Sequence, residues 1–170
     1  MSYPDDFGDV SARLRTSGEV EQLTMRSGTV ARFVAPGSVT AGQFGLFEWI
    51  MQPRSGGPAA HFHKTFSESF YVMSGMVRLF DGEDWTEARQ GDFLYVPQRG
   101  VHAFRNDSDE PASMLILFAP GAPREAYFRE LAEIVAASRQ LSWDEWTELY
   151  ARHDQYRAEG DGAGPGPGPV

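Results

Sequence analysis

The sequence predicts an all-β domain, a barrel or sandwich of seven or eight short strands, with α-helices after it. Between residues 29 and 119, short runs rich in β-branched and aromatic residues alternate with turns of Gly, Pro, Asn and Asp. No helical period separates these runs, which is typical of a sandwich or barrel. The chain contains no internal repeat, so we expect one barrel rather than a tandem pair.

The runs and the turns between them define the predicted strands and the division of the chain. The predicted strands are 29–34, 43–51, 68–73, 76–80, 92–96, 101–105 and 113–118. The predicted parts are an N-terminal arm at 1–20, a β-barrel at 21–121, a helical extension at 122–159 and a disordered Gly/Pro tail at 160–170.

Two helices are predicted in the extension, where they would cover one end or one face of the barrel. Pro123 suits the first position of the first helix. Ser142 and Glu145 have the spacing of a capping box, which begins the second helix. The predicted apolar faces are Tyr127, Leu131, Ile134 and Val135 in the first helix, and Trp143, Trp146, Leu149 and Tyr150 in the second.

Composition excludes several classes of function. With 24 acidic and 15 basic residues, the net charge of −9 repels phosphate backbones and anionic membrane surfaces, so we expect no nucleic-acid or membrane partner. The chain has no cysteine, which rules out disulfides, thiolate metal sites and cysteine nucleophiles. The longest apolar stretch, 114–119, is too short to span a bilayer, and residues 1–7 do not resemble a signal peptide. We therefore expect a cytoplasmic protein.

Three of the four histidines and one glutamate form the candidate metal site. His61 and His63 are two residues apart, so on a strand both point to the same face. Glu68 begins the next predicted strand, and His102 lies near the start of another. Three imidazoles and one carboxylate suit one divalent transition metal, namely Fe, Mn, Ni, Co or Cu, and leave coordination positions open for substrate.

The segments that contain these residues resemble the paired motifs of the cupin superfamily, over about residues 40–120. The matching positions are His61, His63, Glu68 and Gly75 in the first motif, and Gly91, Pro97, His102 and Asn106 in the second. Gly56 and Gly100 are each displaced by one position. The resemblance implies a jelly-roll barrel, or double-stranded β-helix, in which the three histidines and the glutamate hold one metal ion per chain.

Within the superfamily, the chain is similar to the quercetinase-like group, which includes flavonol dioxygenases. Four residues separate His63 from Glu68, as in that group, and 120–131 resembles the helix that follows its barrel. The resemblance implies a metal-dependent dioxygenase that acts with O₂ on a flavonol-like or other enolisable aromatic or polyketide substrate. The metal would lower the pKa of a substrate hydroxyl, Glu68 would be both ligand and catalytic base, and O₂ would then cleave the ring.

Two other functions fit the same residues. A non-oxidative cyclase or isomerase of a natural-product pathway needs the same Lewis acid and base but no O₂. A small-molecule-binding cupin without turnover needs only the site. One fold hosts many functions, so the fold does not decide among the three.

Strand parity also predicts the walls of a substrate pocket. Phe70 and Val72 lie on the same strand face as Glu68, and Phe104 shares the face of His102. The strand 43–51 contributes Phe47 and Trp49. Aromatic walls around a metal suit a flat or apolar substrate.

We further expect a homodimer. The N-terminal arm has little use on a monomer, and exposed strand edges need to be covered.

Overall fold

The computed structural model of the chain describes residue 8 and residues 10–158. The predicted tail at 160–170 and the start of the predicted arm lie outside the described residues. The strands are β1 Gln22–Thr24, β2 Val30–Ala35, β3 Gly45–Met51, β4 His61–Phe62, β5 Ser67–Ser74, β6 Met76–Phe80, β7 Trp85–Arg89, β8 Phe93–Val96, β9 Ala103–Arg105, β10 Ala112–Ala119 and β11 Tyr156–Arg157. The helices are α1 Arg124–Ala136 and α2 Trp143–Arg152, and a short 3₁₀ turn spans Ser17–Glu19.

The strands form antiparallel sheets, as a jelly roll requires. The first sheet has six strands in the order β1-β2-β3-β10-β5-β8. The other strands form a three-stranded sheet in the order β7-β6-β9 and the pair β11-β4. A bridge between His61 and His102 joins these two groups, because each residue donates its backbone N–H to the other's carbonyl at 3.0 and 2.9 Å. The predicted all-β fold with C-terminal helices is confirmed.

Alternation along the strands of the six-stranded sheet creates the core. In β3, Phe47, Trp49 and Met51 are buried, whereas Glu48 and Ile50 between them are half-buried. β10 pairs with β3 and with β5, and its burial alternates in the same way. Side chains of successive residues point to opposite faces of a strand, so the inward set of each strand meets in one core.

All seven predicted strands are present, with ends shifted by up to two residues. β1, β7 and β11 were not predicted, and β4 was expected only as a strand that carries His61 and His63, without bounds. β1 and β11 have only three and two residues, and β7 is a polar edge strand in which only Ala88 is buried. Without an apolar alternation, such strands exist only because a neighbouring strand offers them backbone partners.

The second helix begins where it was predicted, and the first begins one residue later than predicted, at Arg124, with Pro123 as its N-cap. Ser142 and Glu145 form the expected capping box, since the Glu145 carboxylate accepts the Ser142 N–H and the Ser142 hydroxyl accepts the Glu145 N–H. α1 covers the core through Phe128, whose ring lies 5.3 Å from that of Phe47 and 5.1 Å from that of Trp49. The expectation that Trp143 belongs to the buried stripe of α2 was wrong. Its side chain is 56% exposed at the first position of the helix, where it contacts the Arg157 guanidinium, 4.5 Å from the centre of its ring, instead of the core.

The extension also closes onto the barrel by strand pairing, so it is not wholly helical. Tyr156 and Arg157 of β11 pair with Phe62 and His61 of β4. The domain boundaries at 21–121 and 122–159 stay predictions. None of the helices in the described part of the chain is long and apolar enough to cross a membrane.

Two adjacent glycines provide a test of the packing beside the site. A Cβ on Gly57 would lie 1.7 Å from the carbonyl oxygen of Phe104, whereas a Cβ on Gly56 would meet nothing within 4 Å. We predict that Gly57→Ala lowers the free energy of unfolding by at least about 1–3 kcal/mol, because the backbone must move to relieve the clash. Gly56→Ala is the control and should change it by less than about 0.5 kcal/mol. Chemical denaturation measures both, and equal effects would contradict the packing described here.

Candidate metal centre

The four predicted metal ligands meet in the interior of the barrel. His61 lies in β4, His63 one residue after it, Glu68 in β5, and His102 directly before β9. All four are buried, with exposures of 4, 2, 4 and 0%. One potential ligand atom of each lies within 4.8 Å of those of the others. The structure therefore brings together residues that span 42 positions of sequence in a single cluster.

Backbone carbonyls determine which nitrogen of each imidazole is protonated. The Nδ1 atoms of His61, His63 and His102 lie 2.9, 2.6 and 3.0 Å from the carbonyl oxygens of Ala59, Asp154 and Gly100. A carbonyl oxygen only accepts hydrogen bonds, so each Nδ1 must carry a proton. In a neutral ring, Nε2 then has the free lone pair that a metal ligand needs.

The donor atoms of the cluster fit a bound cation. The Nε2 atoms of His63 and His102 lie 3.0 and 2.9 Å from the same oxygen of Glu68, Oε2. If these imidazoles are neutral and carry their proton on Nδ1, their Nε2 lone pairs point at the carboxylate oxygen. Both atoms of each contact are then hydrogen-bond acceptors, and neither has a proton to donate. A proton or a metal ion between them resolves the conflict. The second solution also uses His61, whose ring lies 4.3 Å from that of His102.

The electrostatics of the cluster favour the protonation states that metal ligands need. Burial lowers the pKa of His61 well below its ordinary value, and the neighbouring His102 and His63 lower it further. Burial also lowers the pKa of His63. For Glu68, burial acts to raise the pKa, but His102 and His63 outweigh it and hold the pKa well below its ordinary value. His61 and His63 are thus favoured in the neutral form that a metal ligand needs, and Glu68 is favoured in the ionised form when a positive charge, on an imidazole or on a metal ion, lies beside it.

A cavity adjoins His61 and Glu68 on the side covered by α1. Its lining residues are Trp49, Pro58, His61, Glu68, Phe104, Ile116, Phe118, Arg124, Tyr127, Phe128 and Gln155. The volume free of protein atoms is about 320 Å³, which includes the opening to solvent. The centre of a water molecule can occupy only about 20 Å³ of this space. That is room for about one water molecule, so wall side chains must move before an organic molecule can enter.

Comparison with known proteins identifies the family. Residues 47–118 match the model of the cupin domain, which contains all four residues of the cluster. The chain is 34% identical over 110 residues to the polyketide synthase CurC of Streptomyces cyaneus, which covers 62% of this chain and 68% of that protein. The chain belongs to the cupin superfamily.

Two further relatives show how far the likeness extends. The cupin is 31% identical over 117 residues to quercetin 2,3-dioxygenase of Bacillus subtilis, which covers 69% of this chain but only 34% of that protein. It thus spans about a third of the length of that relative. Among solved structures, the polyketide cyclase RemF of Streptomyces resistomycificus has a similar fold, with a TM-score of 0.55, 19% identity, and coverage of 64% of this chain and 79% of that one.

Of the five residues predicted to line a substrate pocket of this cupin, two lie on the cavity. Trp49 and Phe104 line it, whereas Phe47, Phe70 and Val72 are buried in the core behind the wall. The ring of Phe70, for example, packs 5.7 Å from both the His102 ring and the Phe104 ring. Strand parity predicts which face a side chain occupies, but not its depth along the barrel. Contact of any of the five with a substrate stays a prediction.

The extension supplies site residues that the sequence analysis did not assign. Arg124, Tyr127, Phe128 and Gln155 all line the cavity. A signal for Arg124 was available, because it lies three residues before Tyr127 and seven before Leu131. That spacing places it on the buried face of α1. Nothing in the sequence indicates Gln155.

Asp154 connects the extension directly to the loop that carries His63. Its carbonyl accepts the His63 Nδ1–H at 2.6 Å. Its carboxylate accepts the N–H groups of Lys64 and Thr65, at 3.1 and 2.8 Å, and the Thr65 hydroxyl at 2.6 Å. Outer contacts of this kind orient ligands and raise metal affinity. Asp154 is therefore a positioning residue for His63.

We predict that Asp154→Asn weakens metal binding by about 10-fold, because the amide keeps one acceptor oxygen and loses the other. Asparagine also tolerates the left-handed backbone of this position, where φ is 53°. Competition with a chelator measures the affinity. Asp109→Asn removes an exposed carboxylate paired with Arg54 and is the control. Wild-type affinity in Asp154→Asn would show that the loop holds His63 without this residue.

Proposed function

We propose that this cupin is a metal-dependent oxygenase of the quercetinase-like type, which acts with O₂ on a flavonol-like or other enolisable aromatic or polyketide substrate. The observation that carries the proposal is the buried cluster of three histidines and Glu68 at the wall of an aromatic cavity. The likeness to quercetin 2,3-dioxygenase supports the reaction class. His61, His63, Glu68 and His102 would hold one divalent transition metal, whose identity among Fe, Mn, Ni, Co and Cu is left open.

Each part of the site has a role in this proposal. A bound metal would supply Lewis acidity, which lowers the pKa of a substrate enol or phenol. Glu68 would accept the hydroxyl proton. Because the pKa of Glu68 is held low, its carboxylate is a weak base that works only on a hydroxyl acidified in this way. Phe104, Phe118 and Phe128 would exclude water and pack against the ring of the substrate.

A non-oxidative cyclase or isomerase is the second candidate. The likeness to the polyketide synthase CurC favours it, because more of that relative's length is covered. The same proton transfer to Glu68 would serve it, without O₂.

We predict that the metal-loaded protein consumes O₂ together with a flavonol such as quercetin, and that the reaction stops under argon. Oxygen-electrode traces beside product analysis measure this for a flavonol and for an enolisable polyketide. Conversion that proceeds equally under argon would overturn the oxygenase in favour of the cyclase or isomerase. Binding without conversion of either compound would favour a binding protein.

The Glu68→Gln variant separates catalysis from metal binding. Glutamine keeps an oxygen for the metal but cannot accept the proton, so turnover should fall by about 10²–10⁴-fold. Metal content should fall far less, whereas His102→Ala should lower metal content and turnover together. Glu87→Gln, at the partly exposed carboxylate of β7 paired with Arg89, is the control and should change neither. Full turnover of Glu68→Gln with full metal would make Glu68 a ligand only.

We also propose a homodimer, on different grounds from the N-terminal arm. The described part of that arm binds its own chain, since Arg15 donates to the carbonyls of Phe33 and Val34. On the outer face of β5 and β8, by contrast, four apolar side chains are 40–63% exposed and would be covered by a second chain, namely Tyr71, Met73, Phe93 and Tyr95.

We predict a mass near twice 18.9 kDa by light scattering at micromolar concentration. A mass of one chain would contradict it. A cytoplasmic location stays a prediction.

A further inference from the structure

Two residues that line the cavity, Arg124 and Trp49, each have a buried hydrogen-bond donor without an acceptor among the described residues. The Nε–H of Arg124 and the indole N–H of Trp49 are each inaccessible to water, and neither has a hydrogen-bond partner among the described residues. Arg124 is 4% exposed and Trp49 is 1% exposed. A buried donor without a partner costs about 1–3 kcal/mol, so each of the two is free for an acceptor, which is a water molecule in the empty site or an oxygen of a bound ligand.

The rest of the Arg124 guanidinium is held by neutral groups. Nη1 donates to the carbonyl of His153 and Nη2 donates to Oε1 of Gln155, both at 3.0 Å. The guanidinium lies 4.2 Å from the centre of the Tyr127 ring and 5.3 Å from that of Phe118. No described carboxylate lies within 4 Å of its nitrogens, although the side chain is buried. Burial of an arginine without a paired carboxylate is costly, which favours a role in binding an anion.

The charge balance of the site points the same way. The carboxylate of Glu68 and the guanidinium of Arg124, which both line the cavity, sum to zero. A divalent ion held by the cluster would raise the sum to +2 in an interior of low dielectric constant. A negatively charged substrate oxygen would reduce that excess.

We propose that Arg124 and Trp49 form an oxyanion subsite, which takes a carboxylate or enolate oxygen of the substrate through the Arg124 Nε–H and the Trp49 indole N–H. This rests on the proposed function only in taking the cavity as the substrate site. It adds that the substrate enters as an anion, oriented by Arg124 at the end of the cavity formed by α1. The subsite sets specificity, because a neutral analogue can accept these hydrogen bonds but leaves the charge of the Arg124 guanidinium without a counter-charge.

Benzoate and its neutral isostere benzamide test the subsite directly. We expect metal-free protein, prepared with a chelator, to bind benzoate about 10- to 100-fold more tightly than benzamide in calorimetry. Benzoate should also shift the indole N–H resonance of Trp49 in ¹⁵N-correlated spectra. The resonance that is missing from the spectrum of Trp49→Phe identifies the Trp49 signal. Measurement without metal separates this outcome from that of the proposed function, because neither turnover nor metal identity enters it.

Two variants on the same helix sharpen the test. Arg124→Met keeps an unbranched apolar stem and removes the charge, so the preference for benzoate should vanish. Arg129→Met removes an arginine that is half-exposed and paired with Glu21 outside the cavity, so the preference should be unchanged. Equal binding of benzoate and benzamide by the wild type, or an unshifted Trp49 signal with benzoate bound, would overturn the proposal even if Arg124→Met fails to fold. A benzoate preference that survives in folded Arg124→Met would overturn it too.

Discussion

The burial of one carboxylate among three imidazoles is the interaction on which the rest of the site depends. An ionised carboxylate is expensive to remove from water unless charges or hydrogen bonds compensate it. Glu68 is 4% exposed, and His63 and His102 both approach its Oε2 atom. Two backbone hydrogen bonds between His61 and His102 keep β4 beside β9, and so keep these rings at the carboxylate. The barrel is thus built around a charged group that its own apolar core would exclude.

The ligand cluster could be predicted from the sequence because its residues obey local rules. His61 and His63 are two positions apart at the end of a short strand, and Glu68 follows after a turn, so each is placed by its own strand and the turns beside it. Trp49 and Phe47 show where such rules end. Both have the same parity on β3 and both are buried, yet only Trp49 reaches the cavity. The position of a side chain along the barrel depends on how the sheets pack against each other. The alternation of apolar and polar residues in the sequence does not predict that packing.

The contribution of the segment after α2 was the larger omission, and its cause is also physical. His153, Asp154 and Gln155 follow α2 and precede a two-residue strand, so no periodic pattern marks them. Their roles come from backbone carbonyls as much as from side chains: the His153 carbonyl accepts from Arg124, and the Asp154 carbonyl accepts from His63. A carbonyl is common to every residue, and only a tertiary fold decides which one becomes a ligand's partner.

These contacts make the extension part of the site and bear on how a substrate could enter. The cavity holds about one water molecule, so a wall must move, and the walls differ in how firmly they are held. Trp49 and Phe104 lie in strands whose backbones are paired on the sheets. Arg124, Tyr127 and Phe128 lie in the first turns of α1, which packs on the barrel through side chains such as the ring of Phe128. Side-chain packing yields at lower cost than a ladder of hydrogen bonds. We therefore infer that room for the substrate is made on the side of α1, where the Nε–H of Arg124 has no partner among the described residues.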